Sequence, residues 1–216
     1  MLFKSGNRKL TLPTKETAIP DRVDSVTFSP THYVSGNRIV EPVPDNLEKL
    51  ALGMGCFWGA ERLFWSQPGV YSTAVGYAGG ITKHPSYEDV CSGLTAHTEV
   101  VLLFYNPIEV SIQNLLTIFW ESHNPTEGMR QGNDIGTQYR SAIYTTNQAQ
   151  LDASLEGVPR AQAALNVKGY KEITTEIRRL DEFYYAEDYH QQYLAKNPAG
   201  YCGLAGTGIS YQSEGS

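Results

Sequence analysis

Apolar and polar positions follow two periods along this chain, and the switches between them mark out its elements. Residues 50–54 are a short apolar run and read as a strand, although Gly53 interrupts it. The run GCFWGAERLFW at 55–65 has helical spacing and has to end before Pro68. Residues 70–77, rich in β-branched and aromatic types, read as a strand closed by Gly79-Gly80. The stretch 79–97 reads as a long loop with room for one helical turn. A strand at 98–105 is stopped by Asn106-Pro107. Ser111 is a natural N-cap, with Ile112, Leu115, Leu116 and Phe119 on one helical face before Asn124-Pro125. After a polar, Gly-rich loop at 126–138 comes a strand at 139–144. Asn147 opens a helix running to about Leu165, with Gly157 and Pro159 as candidate breaks. Residues 172–178 alternate as a strand, and Asp181 opens a predicted helix with Phe183, Ala186, His190, Tyr193 and Leu194 near one face.

The order is β-α-β twice, then α-β-α. This predicts an α+β protein, a two-layer sandwich with a ferredoxin-like split β-α-β core. Residues 1–45 lack periodicity and read as an extended N-terminal arm, or as a partly disordered extension. The catalytic domain is expected over 46–196, and 197–216 is expected to be a mobile, Gly-rich tail.

Charge and composition narrow the class. The net charge is −6 and no cluster of Lys and Arg occurs, so nucleic acid is not an expected partner. No apolar run approaches the ~20 residues that span a bilayer, and residues 1–20 lack the apolar core of a secretory signal. Three widely spaced cysteines do not form a disulfide framework; they suit a reducing compartment, and a cytoplasmic setting is expected. No C-x-x-C or H-x-x-x-H spacing supports a metal, and no Gly-rich phosphate loop supports a nucleotide cofactor.

Candidate chemistry gathers at the thiols. Cys56 lies between a predicted strand and a predicted helix, where unpaired N–H groups and the helix dipole favour thiolate. Phe57 and Trp58 beside it can form an apolar slot for a methyl or thioether group. A buried, inert Cys56 and core aromatics are the plainer alternatives. Cys202 sits among four glycines, a setting suited to visiting a second sulfur or to having no role at all. Cys91 reads as a buried structural thiol. Glu99 enters an apolar strand, where burial would raise its pKa and fit it to donate a proton. The loop 132–140 is dense in polar residues and Gly. His190 and Tyr193 have the spacing of ordinary helix packing. Other thiol enzymes, such as a peroxidase or an acyl-transfer hydrolase, and a silent binding module remain open on these features alone.

The motif Gly55-Cys56-Phe57-Trp58-Gly59 resembles the signature of the A-type peptide-methionine sulfoxide reductases. The likeness continues through Tyr77-Ala78-Gly79-Gly80, residues 87–93, His97-Thr98-Glu99, Asn106-Pro107, His123-Asn124-Pro125, 131–144 and 183–202, so it covers roughly 45–205, and its layout is similar to the bacterial members. The resemblance implies reduction of methionine S-sulfoxide, free or in proteins, at the expense of thioredoxin; separately, a monomer and no cofactor are expected. It implies Cys56 as nucleophile, Phe57 and Trp58 around the substrate methyl, and Glu99 as proton donor with Tyr87 and Tyr139 at the sulfoxide oxygen. It places Asp134, His190 and Tyr193 around the same pocket and makes Cys202 the resolving thiol. Many bacterial relatives carry a further cysteine eight residues later; here that position is Ser210, so thioredoxin would act directly on a Cys56–Cys202 disulfide.

Overall fold

The computed structural model describes residues 10–211. The fold is α+β, with helices on a mixed six-stranded sheet of order β7-β6-β1-β3-β2-β8. The sheet strands are β1 (Glu48–Met54), β2 (Val70–Ala78), β3 (Thr98–Tyr105), β6 (Ser141–Thr145), β7 (Glu176–Arg179) and β8 (Phe183–Tyr185). Two-residue strands β4 (Arg130–Gln131) and β5 (Asp134–Ile135) pair separately as a small hairpin. The helices are α1 (Phe57–Trp65), α2 (Tyr87–Cys91), α3 (Ile112–Ser122), α4 (Gln148–Val167) and α5 (Tyr193–Lys196). β3 lies between β1 and β2 and is antiparallel to both; β6 pairs antiparallel with β1 and parallel with β7.

Strand alternation sorts the core into two faces. Leu50, Leu52 and Met54 of β1 join Val101, Leu103 and Tyr105 of β3 against Phe64, Leu116, Phe119 and Trp120 of the helices. Their neighbours Ala51, Val100, Leu102 and Phe104 turn to the other face, packed by Val43 and Leu47 ahead of β1 and by Leu180 and Phe183. Glu99 shares the parity of Val101 and Leu103, so it points to the helical side.

Helix caps follow the sequence: Ser111 and Asn147 accept from the backbone N–H groups of Asn114 and Gln150. Neither Gly157 nor Pro159 breaks α4. Pro159 withholds a hydrogen bond from the carbonyl of Leu155, a residue half exposed to solvent. A Cβ at Gly157 would lie 2.8 Å from the Tyr211 hydroxyl, so this glycine lets Tyr211 pack onto α4.

The predicted helix from Asp181 is not formed. Phe183–Tyr185 instead pairs with β2 as the edge strand β8, and only Tyr193–Lys196 is helical. Three successive aromatics suit a pleated edge, and Gly76 opposite leaves the room: a Cβ there would lie 2.4 Å from the Phe183 ring. Gln192, at φ +49, interrupts any helix through the segment. The strand expected at 139–144 begins at Ser141, because Tyr139 closes a 3-10 turn at Thr137–Tyr139.

Residues 10–47 have almost no regular structure yet contact the domain at many points. Ile39 is fully buried, and the Ser29 and Tyr33 N–H groups donate to the side chains of Asp188 and Gln192. The tail at 201–211 also lies along the domain, with Thr207, Ile209 and Tyr211 buried and the Tyr211 N–H donating to Glu121.

Candidate active site

β1 delivers the chain to Gly55, whose φ of +88 turns it sharply into α1. A Cβ at Gly55 would lie 2.6 Å from the Gln131 side chain, which is itself held by the backbone of Asn124. Cys56 is therefore the N-cap of α1, and its half-buried thiol faces the open end of the helix. The first free N–H of that helix does not go to the sulfur. Phe57 N–H donates to Glu99 Oε2 at 3.1 Å. Glu99, 1% exposed, enters from the start of β3 on the helical face.

These placements fix the electrostatics. Burial pushes the Glu99 carboxyl up to about 8, against the pull of the Phe57 N–H. Burial also raises the Cys56 thiol, and Glu99 and Asp134 add to the rise while the Trp58 N–H opposes it. The lowered thiol pKa expected from a helix N-terminus is therefore corrected: desolvation, with Glu99 and Asp134 nearby, outweighs the Trp58 N–H. The resting pair is a neutral thiol beside a neutral carboxyl.

A cavity of about 170 Å³ opens on this pair, lined by Cys56, Phe57, Trp58, Tyr87, Glu99, Asp134, Tyr139 and Tyr201. Burial raises the phenols of Tyr87 and Tyr139, so both remain O–H donors at neutral pH. A larger cavity of about 510 Å³ lies on the opposite face of the sheet beside Leu102, Phe104 and Leu180, and no cysteine lines it.

Trp58 forms one wall and is braced from behind. Its indole N–H donates to His190 Nδ1 at 3.0 Å, and its ring stacks on Tyr193 with centroids 3.9 Å apart. Burial pushes His190 down to about 4, which keeps it a neutral acceptor. Neither His190 nor Tyr193 lines the cavity. The rim is closed by the Tyr201 hydroxyl donating to Asp134 Oδ2 at 3.3 Å.

Cys202 lies half-buried on α1, one turn along from Cys56. A Cβ at Gly59 would lie 3.1 Å from Cys202 Sγ, and Arg62 Nη2 donates to the same sulfur at 3.2 Å. Cys91 is half-buried rather than buried, and the Tyr87 hydroxyl hydrogen-bonds to it.

Two residues at or behind the cavity were missed in the sequence. Tyr201 was hidden in a Gly-rich stretch, its adjacency to Cys202 being the one available signal. Glu187 bonds the Tyr77 hydroxyl and the Tyr87 N–H, fastening β2 to α2 behind the cavity, and nothing in its sequence setting marks it.

Comparisons with known proteins place the chain in a family. A family model described as peptide methionine sulfoxide reductase matches residues 48–213. The peptide methionine sulfoxide reductase MsrA of Ectopseudomonas mendocina is 59% identical over 206 residues, covering 95% of this chain and 94% of that one. Methionine sulfoxide reductase A of Corynebacterium diphtheriae superposes with a TM-score of 0.80 at 43% identity, covering 89% of this chain and 93% of that chain. Mxr1 from Saccharomyces cerevisiae, in complex with Trx2, shares the fold at a TM-score of 0.50 and 21% identity, covering 79% of this chain and 96% of that chain. The chain belongs to the peptide methionine sulfoxide reductase family.

Proposed function

We propose that Cys56 attacks the sulfur of methionine S-sulfoxide, free or in a protein, while Glu99 protonates the departing oxygen, and that Cys202 resolves the product. As a member of its family the chain is a thiol-dependent oxidoreductase that reduces methionine sulfoxide through cysteine chemistry. The observation that carries the residue roles is the juxtaposition of the Cys56 thiol and a carboxyl protonated up to about pH 8 on one small aromatic cavity.

Sulfoxide sulfur becomes electrophilic when its oxygen is protonated or strongly hydrogen-bonded. Glu99 supplies that proton, with the Tyr87 and Tyr139 hydroxyls donating to the same oxygen. Loss of the Glu99 proton leaves a carboxylate, which takes up the proton that Cys56 releases as its sulfur attacks. The exchange leaves the net charge of the cavity unchanged, as a desolvated site requires. The hydroxyl then passes from the substrate sulfur to the Cys56 sulfur as the S–O bond and the transient bond between the two sulfurs break, so methionine leaves and Cys56 becomes a sulfenic acid. Phe57 and Trp58 hold the substrate methyl, with Asp134 and Tyr201 at the rim.

Cys202 then attacks the Cys56 sulfenic acid, expelling water and forming a disulfide. A thioredoxin-type dithiol reduces that bond directly, since Ser210 stands where a further relay thiol would be; the complex of Mxr1 with Trx2 supports a partner of this kind. We also read β1, α1, β2, β3, α3 and β6 as a ferredoxin-like split β-α-β core, a reading supported by the strand order β6-β1-β3-β2.

A stoichiometric assay tests the reaction. Reduced protein given one equivalent of methionine sulfoxide should release one methionine for every two thiols lost. Methionine release without thiol loss would exclude it.

A further inference from the structure

Helix α1 buries a carboxyl that the reaction does not use. Glu61 has no exposed surface. Its oxygens accept three hydrogen bonds: from the Gln192 N–H at 2.8 Å, the Gln192 side-chain amide at 2.7 Å and the Thr73 hydroxyl at 3.1 Å. Burial pushes this carboxyl up to about 7, so it is held at a cost that packing alone would avoid.

What Glu61 holds lies directly behind the cavity wall. Gln192 stands between His190, which accepts the Trp58 indole N–H, and Tyr193, which stacks on the Trp58 ring. Its φ of +49 is a conformation that a non-glycine residue keeps only when its surroundings fix it. Glu61 grips both its backbone and its side chain.

The arm grips the same assembly from outside. His32, 1% exposed, accepts the Val34 and Ser35 N–H groups at Nδ1, so its proton is on Nε2, which donates to Thr73 Oγ1 at 3.0 Å. Thr73 in turn donates to Glu61. The Tyr33 N–H donates to Gln192 Oε1 at 2.9 Å. A continuous chain of hydrogen bonds thus runs from the arm through β2 and α1 to the segment that braces Trp58.

We propose that Glu61 is a positioning residue for the methyl slot, fixing the segment 190–193 behind Trp58, and that His32 and Tyr33 of the arm complete this brace and so help to set the width of the slot. This rests on the reading of Phe57 and Trp58 as the wall around the substrate methyl.

The test compares methionine sulfoxide with ethionine sulfoxide, which differs only in an ethyl group, by kcat/KM. A braced slot discriminates against the extra carbon. Glu61→Gln removes an acceptor from the cluster and should lower the methyl-to-ethyl ratio by about fivefold, the change falling on KM more than on kcat. Thr73→Val, isosteric and outside the cavity, should shift the ratio the same way by a smaller factor, and Thr73→Ser, which keeps the hydroxyl, should restore it. The Thr73 pair carries the test if Glu61→Gln does not fold. Equal losses for both substrates, or an unchanged ratio, would overturn the proposal. Trp58→Ala separates the two layers. If it leaves the ratio unchanged, the slot reading falls and the brace with it; if it lowers the ratio while Thr73→Val does not, only the brace falls.

Discussion

Cys56 and Cys202 are carried by opposite kinds of structure. Cys56 stands at the junction of β1 and α1, where a central strand, a capped helix and the fixed turn at Gly55 define its position. Cys202 stands in a stretch without regular secondary structure, positioned by side-chain contacts: Tyr201 to Asp134, Arg62 to the sulfur, Gly59 beneath it. In the proposed mechanism the first sulfur works beside a proton donor in fixed register, and the second has to leave its place on α1 to reach the first. Rigid elements suit one task, and a chain held by few contacts suits the other.

Breaking the rigid region has the largest expected effect. Cys56→Ser should abolish turnover while substrate affinity, measured by titration, changes little; residual turnover would remove the nucleophile. Cys202→Ser should leave one burst of methionine per protein and end thioredoxin-driven cycling, so continued cycling would remove the second sulfur from the mechanism.

Glu99→Gln should slow the burst by about 10²- to 10⁴-fold. The wild-type burst should fall as pH rises past about 8, where the carboxyl loses its proton. The same substitution should stabilise the protein. The folded-state pKa is raised above the ordinary 4.5, so the contribution of Glu99 to stability is fully present below that value and is lost as pH rises to about 8. Thermal unfolding at pH 9 should therefore show Glu99→Gln above wild type, with the difference vanishing near pH 4; equal melting temperatures at pH 9 would contradict the burial of a protonated carboxyl.

The smallest effect sharpens the comparison. Gly59→Ala would put a methyl 3.0 Å from Leu204 Cβ and 3.1 Å from Cys202 Sγ. It should slow disulfide formation by about tenfold without slowing the methionine burst. Stability should hold or rise, since alanine is the better helix former. Quenched-flow thiol counting separates the two steps.

The rigid region was the more legible in the sequence. The unbroken apolar run that follows Glu99, stopped by Asn106-Pro107, marked β3 and the burial of that carboxyl. The spacing of Leu115, Leu116 and Phe119 behind a serine cap fixed α3. Legibility failed where position depends on partners distant in the chain. The segment 183–193 has helical aromatic spacing, yet the open edge of β2 took Phe183–Tyr185 as a strand. The Cys56 thiol is raised rather than lowered because the fold buries it and sets beside it Glu99, a residue 43 positions away. Glu61 looks like a solvated helix charge until Gln192 and Thr73 close over it. The arm has no periodicity because backbone N–H groups, not an apolar stripe, make several of its contacts.

Mass mapping of reduced Cys202→Ser protein after one equivalent of methionine S-sulfoxide bears most directly on the chemistry at α1. A single added oxygen on the peptide carrying Cys56, trapped by a sulfenic-acid reagent and matched in amount by methionine released, is the expected result. Methionine released with the Cys56 peptide unmodified, or oxygen found on Cys91 instead, would contradict attack by the N-cap thiol.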